Sequence, residues 1–169
     1  TTADASSDVG AYAISLSGGS ADNYTLATVN GTLTIEKATL TATADDKSKT
    51  YGEENPAITI SYAGFVNGDD ETALTQPTPS TTADATSEVG TYDITLSGGS
   101  ADNYSLTTVN GTLTIGKATL TARADDKERA VGQENPEFTI SYTGFVNGDD
   151  KSEIDTEPTA STTADETTA

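Results

Sequence analysis

The 169-residue chain contains no cysteine, no histidine, no tryptophan and no methionine. Without cysteine it has neither disulfide bonds nor a thiol nucleophile, and without histidine it lacks the most common general base and metal ligand. Acid–base chemistry would have to come from paired carboxylates, yet neighbouring residues of a strand point to opposite faces of a sheet. The sequence therefore predicts a protein that is not an enzyme, with no catalytic, cofactor-binding or metal-binding residues.

Positive charge is also scarce, since 8 Lys and Arg residues stand against 27 Asp and Glu residues and give a net charge of −19. Such a surface repels the phosphates of nucleic acids and the anionic headgroups of membranes. Long hydrophobic runs are missing too, and no segment approaches the roughly 20 apolar residues that cross a bilayer. We therefore expect no nucleic-acid partner and no membrane insertion in this segment.

Internal repetition is the strongest positive signal in the sequence. Residues 1–70 align with residues 81–150 without a gap, and 53 of the 70 pairs are identical. Only 33% of the residues are hydrophobic, but they alternate regularly and are accompanied by many Thr, Val, Ile and Tyr residues, which favour strands. A period of 80 residues is too long for a solenoid unit and indicates a small β domain repeated in line.

The apolar alternation changes phase at one point in each repeat. Leu33 and Ile35 are odd-numbered, whereas Leu40 and Ala42 are even-numbered, so the apolar face moves across the chain near Glu36-Lys37. Two strands that face different cores would produce this switch. The predicted parts are therefore the back half of a repeat at 1–37, a complete repeat at 38–117 and the front half of another at 118–169. A permuted division into 1–80 and 81–162 is the alternative.

The pattern within one repeat predicts a mostly β fold. Two strands, a short helical turn and three further strands are typical of a β-grasp-like module, and an immunoglobulin-like sandwich is the alternative. A polar turn is expected at 45–56, a helix cap at Asn67-Gly68-Asp69-Asp70 and a type I′ hairpin at Asn110-Gly111. The predicted strands are Thr39–Ala44, Ala57–Ala63, Gly90–Ser97, Tyr104–Val109 and Thr112–Ile115. Pro77 and Pro79 predict an edge or an extended connection.

Six tyrosines are in phase with Ile and Leu at strand positions, so we expect them to pack in a thin core rather than to form a carbohydrate platform. They are Tyr12, Tyr24, Tyr62, Tyr92, Tyr104 and Tyr142.

Several segments resemble the MBG repeat family in its YGX variety. The stretch Lys37–Pro56 is similar to the opening of that repeat, and Ser61–Asp69 and Asn103–Thr114 are similar to its later segments. The Tyr-Gly signature is intact at Tyr51-Gly52 but becomes Val131-Gly132 in the next repeat, which suggests that the tyrosine packs rather than binds. The resemblance covers essentially the whole chain and implies a long bacterial surface protein, built from small β-grasp-like repeats and associated with adhesion.

Two functional hypotheses follow, both for an extracellular or cell-surface protein. The first is a non-catalytic structural repeat of an adhesin that forms a rigid stalk, fibre or filament, as in biofilm-associated proteins, with like chains or neighbouring repeats as head-to-tail partners. The alternative is a binding module with weak repeated sites for glycan, mucin or a like chain, in which the loops 18–23 and 98–103 are the first candidates.

The acidic residues raise the possibility of one metal ion, calcium. Hard cations take six to eight oxygen ligands, but the sequence contains no D-x-D-x-D-G loop. A solvated acidic surface is therefore expected, and a structural calcium ion is the alternative. Its candidate ligands would be Asn67, Asp69, Asp70 and Glu71, or Asp45 and Asp46.

Overall fold

A computed structural model of the chain describes residues 1–165 and confirms the predicted fold class, mostly β with short helical turns. The helical turns are two 3₁₀ helices at Glu71–Ala73 and Lys151–Glu153. The strands are β1 (Gly10–Ile14), β2 (Gly31–Ile35), β3 (Ala38–Ala44), β4 (Lys47–Thr50), β5 (Ile60–Ala63), β6 (Leu74–Thr75), β7 (Thr78–Thr81), β8 (Gly90–Ser97), β9 (Ser100–Ala101), β10 (Tyr104–Val109), β11 (Gly111–Gly116), β12 (Thr121–Ala124) and β13 (Ile140–Thr143).

The described strands form five small sheets. The two larger ones have the strand orders β10-β3-β5 and β4-β11-β8-β7, and the pairs β1-β2, β6-β9 and β12-β13 form the rest. Strand β7 contains Pro79 and lies at the edge of its sheet, as predicted, because proline has no N–H to donate to a second neighbour.

Strand β3 is the centre of its sheet. It pairs antiparallel with β5, placing Ala42 opposite Tyr62, and parallel with β10, placing Leu40 opposite Leu106. Because both of its edges are paired, its inward side chains are fully enclosed: Leu40, Ala42 and Ala44 are all buried, as the alternation predicted.

Part of this arrangement recurs in register later in the chain. Strands β12 and β13 pair antiparallel with Ala122 opposite Tyr142, which is the β3–β5 register shifted by 80 residues. Likewise, β1 and β2 pair antiparallel with Tyr12 opposite Leu33. The repeated sequence therefore reproduces these strand pairs locally, as expected of sequence-encoded register.

The chain divides into two compact units. The first comprises Thr1–Lys47, Ala57–Thr82 and Tyr92–Leu113, and the second comprises Ser48–Pro56, Ala83–Thr91 and the chain from Thr114 onward. The buried hydrophobic side chains of the first unit are Leu40, Ala42, Ala44, Ile94, Tyr104 and Leu113. In the second unit Ala83 and Ile115 are buried, together with the charged Lys49. The repeat boundaries at 37 and 117 stay a prediction.

The hairpin expected at Asn110-Gly111 is wrong. Strand β10 lies in the sheet of β3, whereas β11 lies in the sheet of β4 and β8, so the two strands do not pair with each other. Glycine is required here by space: a Cβ on Gly111 would lie 2.3 Å from the carbonyl oxygen of Ala44. The dipeptide thus allows a close backbone approach at the crossing from one sheet to the next.

Asn-Gly does form a type I′ turn elsewhere, at the position interpreted as a helix cap. Asn67 and Gly68 both have positive φ, of 58° and 84°, and the Asp69 N–H donates to the Val66 carbonyl at 3.0 Å. Only Asp70 acts as the predicted cap: its carboxylate accepts from the backbone N–H of Thr72 at 2.9 Å.

Two further boundaries differ from the prediction. The segment 45–56 is not only a polar turn, because it contains strand β4 (Lys47–Thr50), and β5 begins at Ile60 rather than at Ala57.

The tyrosines predicted to pack in the core differ in their burial. Tyr24 is not packed at all, since 82% of it is exposed. Tyr104 is buried, and the other four tyrosines of the predicted set are half-buried.

Candidate functional site

The candidate site is a position where aromatic rings gather beside an Asn-Gly turn, and the chain contains it twice. In the first unit three rings meet: Phe65 packs against Tyr62 with centroids 5.9 Å apart and edge-on against Tyr104 at 5.8 Å. Offset and edge-on arrangements are the favourable ones for aromatic pairs. We call this cluster the Tyr104 seat.

The Tyr104 hydroxyl is held by polar groups of the turn at 66–69. It donates to Asp69 Oδ2 at 2.6 Å and accepts from the Val66 backbone N–H at 3.1 Å. The hydrogen bond to the Asp69 carboxylate, together with burial, raises the pKa of Tyr104 above its ordinary value. The type I′ turn thus presents one carboxylate and one N–H to a single buried hydroxyl.

Hydrogen bonds next to this seat tie residues 1–37 to the strand that carries Tyr104. Asn103 accepts from the Val9 backbone N–H at 3.0 Å and donates to Asp8 Oδ1 at 2.7 Å. Lys37 Nζ donates to the Ala101 carbonyl at 2.9 Å. The loop 98–103, a candidate ligand loop from the sequence, therefore makes contacts within the first unit, whereas residues 18–23 are exposed.

The second unit contains the same elements without the third ring. Tyr142 and Phe145 pack with centroids 6.3 Å apart, and the Asp149 N–H donates to the Val146 carbonyl across the second Asn-Gly turn. Beside them lies an open groove of about 370 Å³, which we call the Leu120 groove. It is lined by Tyr51, Val89, Lys117, Ala118, Leu120, Gly144, Phe145, Val146, Asp149, Glu153 and Ile154.

The Tyr-Gly signature of the sequence lies at this groove. Gly52 has a φ of 87°, and a Cβ there would lie 2.6 Å from a methyl carbon of Val146. Asn147 Nδ2 also donates to the Ala85 carbonyl, at 3.3 Å. A glycine is therefore needed at 52 both for its backbone conformation and for the close contact. At Gly132 no atom lies within 4 Å of such a Cβ, and Val131 is exposed.

Lys49 is a buried cation that the sequence analysis did not identify. Its Nζ donates to the carbonyls of Glu53 at 2.9 Å and Asp84 at 2.5 Å, beside a bond from Asn55 Nδ2 to the Ala83 carbonyl. A basic residue, Arg129, occupies the equivalent position of the next repeat and donates to the Asp165 carbonyl, and Asn135 Nδ2 donates to the Ala164 carbonyl at 2.7 Å. These bonds hold two loops of the second unit together.

The carboxylates singled out as calcium ligands serve as acceptors in turns and strand ends. Asp45 accepts from the hydroxyls of Thr59 and Ser61, which lowers its pKa, with Ser61 the larger cause. Asp46 accepts from the N–H of Thr112 at 2.7 Å, and Glu71 Oε2 accepts from Gln76 at 2.9 Å. Within residues 1–165, no group of three or more acidic side chains comes together as a metal site would require. The expectation of a solvated acidic surface without a cofactor, with structural calcium as the alternative, stays a prediction.

The same chemistry recurs at the shifted positions. Asp125 accepts from Thr139 at 2.5 Å and from Ser141, and Asp150 caps the second 3₁₀ helix through the N–H of Ser152 at 2.8 Å. Both pKa values are lowered by these hydrogen bonds. Much of the chain's acidity is thus part of repeated local structure.

Comparison with known proteins identifies the family. The model of the MBG domain (YGX type) matches residues 1–34, 40–114 and 120–169, which is almost the whole chain. No curated protein and no solved structure matches it at a significant level. The family suggests a surface or adhesin-type repeat and is typically extracellular or surface-associated. No helix among the described residues is long and apolar enough to span a bilayer. The chain belongs to the MBG domain family, YGX type.

Proposed function

We propose that the chain is a non-catalytic structural part of an extracellular or cell-surface adhesin, in which successive repeats form a rigid stalk or fibre. The observation that carries this proposal is the shortness of the connection: β2 ends at Ile35 and β3 begins at Ala38. A two-residue connection leaves little freedom between the strands it joins.

Contacts between residues far apart in the sequence support the same role. In the first unit, Asn103 bonds to both Asp8 and Val9 across 95 and 94 residues of sequence, respectively. In the second unit, Gly52 approaches Val146 closely. Such contacts stiffen an array because each repeat is held by its neighbours as well as by the chain.

The use of the acidic residues supports a role without chemistry. Asp45, Asp70 and Asp125 have lowered pKa values because hydroxyl and backbone donors hold their charged forms. A general acid or base working near neutral pH needs a pKa shifted the other way. The net charge of −19 favours solubility and repulsion from other anionic surfaces.

Small-angle X-ray scattering of tandem chains tests this proposal. Chains with one, two and four copies of residues 38–117 should increase in maximum dimension by a constant increment per copy. A matched series with a Gly/Ser-rich insert after Lys117 of each copy should instead grow roughly as the square root of its length, as flexible chains do. A maximum dimension that stays compact as copies are added would contradict a stalk, and saturable binding to a glycan array would favour the ligand-binding alternative.

A further inference from the structure

Two nearly identical six-residue segments have opposite environments in this molecule. Residues 104–109 read YSLTTV and form strand β10, whereas residues 24–29 read YTLATV and form no strand. Tyr104 is 2% exposed and Tyr24 is 82% exposed, and Leu26 and Val29 are also exposed. We call residues 24–29 the donor segment. Its sequence is that of a core strand, but it has no sheet to join within the described part of the chain.

Strand β12, in contrast, belongs to a sheet but lacks a described partner strand on one edge. Residues 118–124 read ATLTARA and correspond to β3, residues 38–44, which read ATLTATA. Strand β3 pairs on both sides, but β12 pairs with β13 alone among the described strands. Its free edge therefore presents N–H and C=O groups that can take up another strand. Leu120 is 39% exposed, whereas Leu40 is 0% exposed.

The Leu120 groove lies beside this edge and lacks what Tyr104 supplies in the first unit. Phe145 has one aromatic neighbour where Phe65 has two. Asp69 accepts a hydrogen bond from the Tyr104 hydroxyl, whereas no described residue donates to the carboxylate of Asp149. The groove has the apolar lining and the acceptor that suit a tyrosine side chain.

We infer that the free edge of β12 and the Leu120 groove bind the donor segment of a second copy of this chain. The geometry is the one that β10 and β3 already show, in which Tyr104 lies opposite Ala38 and Leu106 opposite Leu40. In the repeat, Tyr24 and Leu26 are equivalent to Tyr104 and Leu106, and Ala118 and Leu120 are equivalent to Ala38 and Leu40. The same register therefore places Tyr24 of one copy opposite Ala118 of the other, and Leu26 opposite Leu120. The tyrosine hydroxyl then donates to Asp149. This is strand addition in parallel register.

A second copy is favoured over an unrelated partner because the donor sequence and the receiving sequence are both encoded in this chain. The same contact also covers further exposed side chains. Gly52 lies close to Val146 within this chain, and the equivalent residues are Gly132, next to Val131, and Val66. In the complex, the turn at Val131 of the receiving copy would therefore contact Val66 of the donor copy. Val131 and Val66 are both exposed. Since the donor and the receiving edge differ, the contact is heterologous and extends head to tail into a filament.

The inference deepens the proposed structural function and rests on it for its biological meaning, but the two can fail separately. If the array is stiff but copies do not associate, the proposed contact between copies is excluded and the stalk function is retained. If copies associate in the stated register but the array is compact or flexible, the stalk function is excluded and the contact is retained.

The test uses two variants of the 169-residue chain, each of which removes one side of the contact. Tyr24→Asp removes the donor and leaves the groove intact, and Leu120→Asp removes the groove and leaves the donor intact. Val109→Asp is the control, because it adds the same charge at an exposed position of β10. Mass is measured by light scattering up to about 1 mM chain, where specific contacts of even the weakest class are populated.

Wild type and Val109→Asp should show masses that rise with concentration, and each of the other two variants should stay near 17.3 kDa. Their association should be weaker by about 30-fold or more, as for a central interface side chain. An equimolar mixture of Tyr24→Asp and Leu120→Asp should form a capped dimer, because one functional donor then meets one functional groove. A monomeric wild type, variants that associate like wild type, or a mixture that stays monomeric would each overturn the inference.

Discussion

The residues 38–117 and the residues on either side of them present almost the same sequence with very different burial. Leu40, Ile94 and Leu113 are at most 2% exposed, whereas their counterparts Leu120, Ile14 and Leu33 are between 38% and 42% exposed. The side chains are identical, so residue type does not explain the difference. What differs is the number of neighbouring strands: among the described strands, β12 lacks the second partner that β3 has, and the β1–β2 pair lacks the two outer strands that flank β8 and β11. Burial in this fold is therefore a property of the completed sheet.

Strand pairing behaves differently from burial in the same comparison. The β12–β13 pair has the register of β3–β5, although all of β12 is exposed and Ile140 and Tyr142 of β13 are only half-buried. Hydrogen bonds from Thr139 and Ser141 to Asp125 repeat those from Thr59 and Ser61 to Asp45. Two neighbouring strands and their polar contacts thus form from local sequence, and enclosing the core requires a distant segment.

The largest expected difference is between Leu40→Ala and Leu120→Ala. Removing a fully buried leucine leaves a cavity, so Leu40→Ala should lower the free energy of unfolding by about 2–5 kcal/mol. Leu120→Ala should lower it by about 1 kcal/mol or less, because that side chain is already partly in water. Urea denaturation followed by circular dichroism, at a concentration too low for association, gives both values. Equal losses would contradict the account of the incomplete sheet.

A smaller difference is expected between Tyr104→Phe and Tyr24→Phe. The first change removes the bonds to Asp69 and Val66 and should lower the urea midpoint, whereas the second should leave it unchanged. The raised folded pKa of Tyr104 means that its hydrogen bond contributes fully below the ordinary value of 10.0 and is lost as pH rises toward the folded pKa. Tyr104→Phe should therefore lose less stability than wild type as the pH rises above 10.0. A midpoint equally lowered by Tyr24→Phe would count against the assignment.

The smallest difference is expected between Asp45→Asn and Asp125→Asn, which should destabilise the chain to similar extents at pH 7. Their carboxylates have folded pKa values below the ordinary 3.8, so they contribute stability above pH 3.8 that is lost as pH falls through the folded pKa. Each variant should accordingly match wild type at the acidic end of a pH series of urea midpoints. If only Asp45→Asn were destabilising, the strand pairs would not be equivalent.

Sequence reasoning identified the strands well where a single face is buried. The even-numbered alternation from Leu40 to Ala44 and the bounds Gly90–Ser97 and Tyr104–Val109 are confirmed. It failed at Asn110-Gly111, because Asn-Gly fits both a hairpin turn and a close crossing between sheets. Only the carbonyl of Ala44 beside Gly111 distinguishes the two, and that contact joins residues far apart in sequence.

The candidate site could not be predicted from the sequence for a related reason. Tyr24 and Tyr104 occupy equivalent positions in nearly identical segments, so any rule based on pattern assigns them the same environment. Lys49 shows the same limit, since its burial depends on the carbonyls of Glu53 and Asp84, which no periodicity reports. The repeat itself was visible, but which strands it would bring together was not.

The most direct measurement is a disulfide test of register between copies, which is clean because the chain contains no cysteine. Oxidising a mixture of Leu26→Cys and Leu120→Cys should give a cross-linked dimer joined at those two positions, identified by mass spectrometry of the linked peptides. Leu26→Cys with Ala124→Cys is the control, because four residues along a strand are about 13 Å, beyond the roughly 7 Å that a disulfide spans between Cα atoms. Cross-linking in the first mixture and not in the second is the result expected. No cross-link in the first mixture, or equal yields in both, would contradict the central claim that one copy supplies the strand that another lacks.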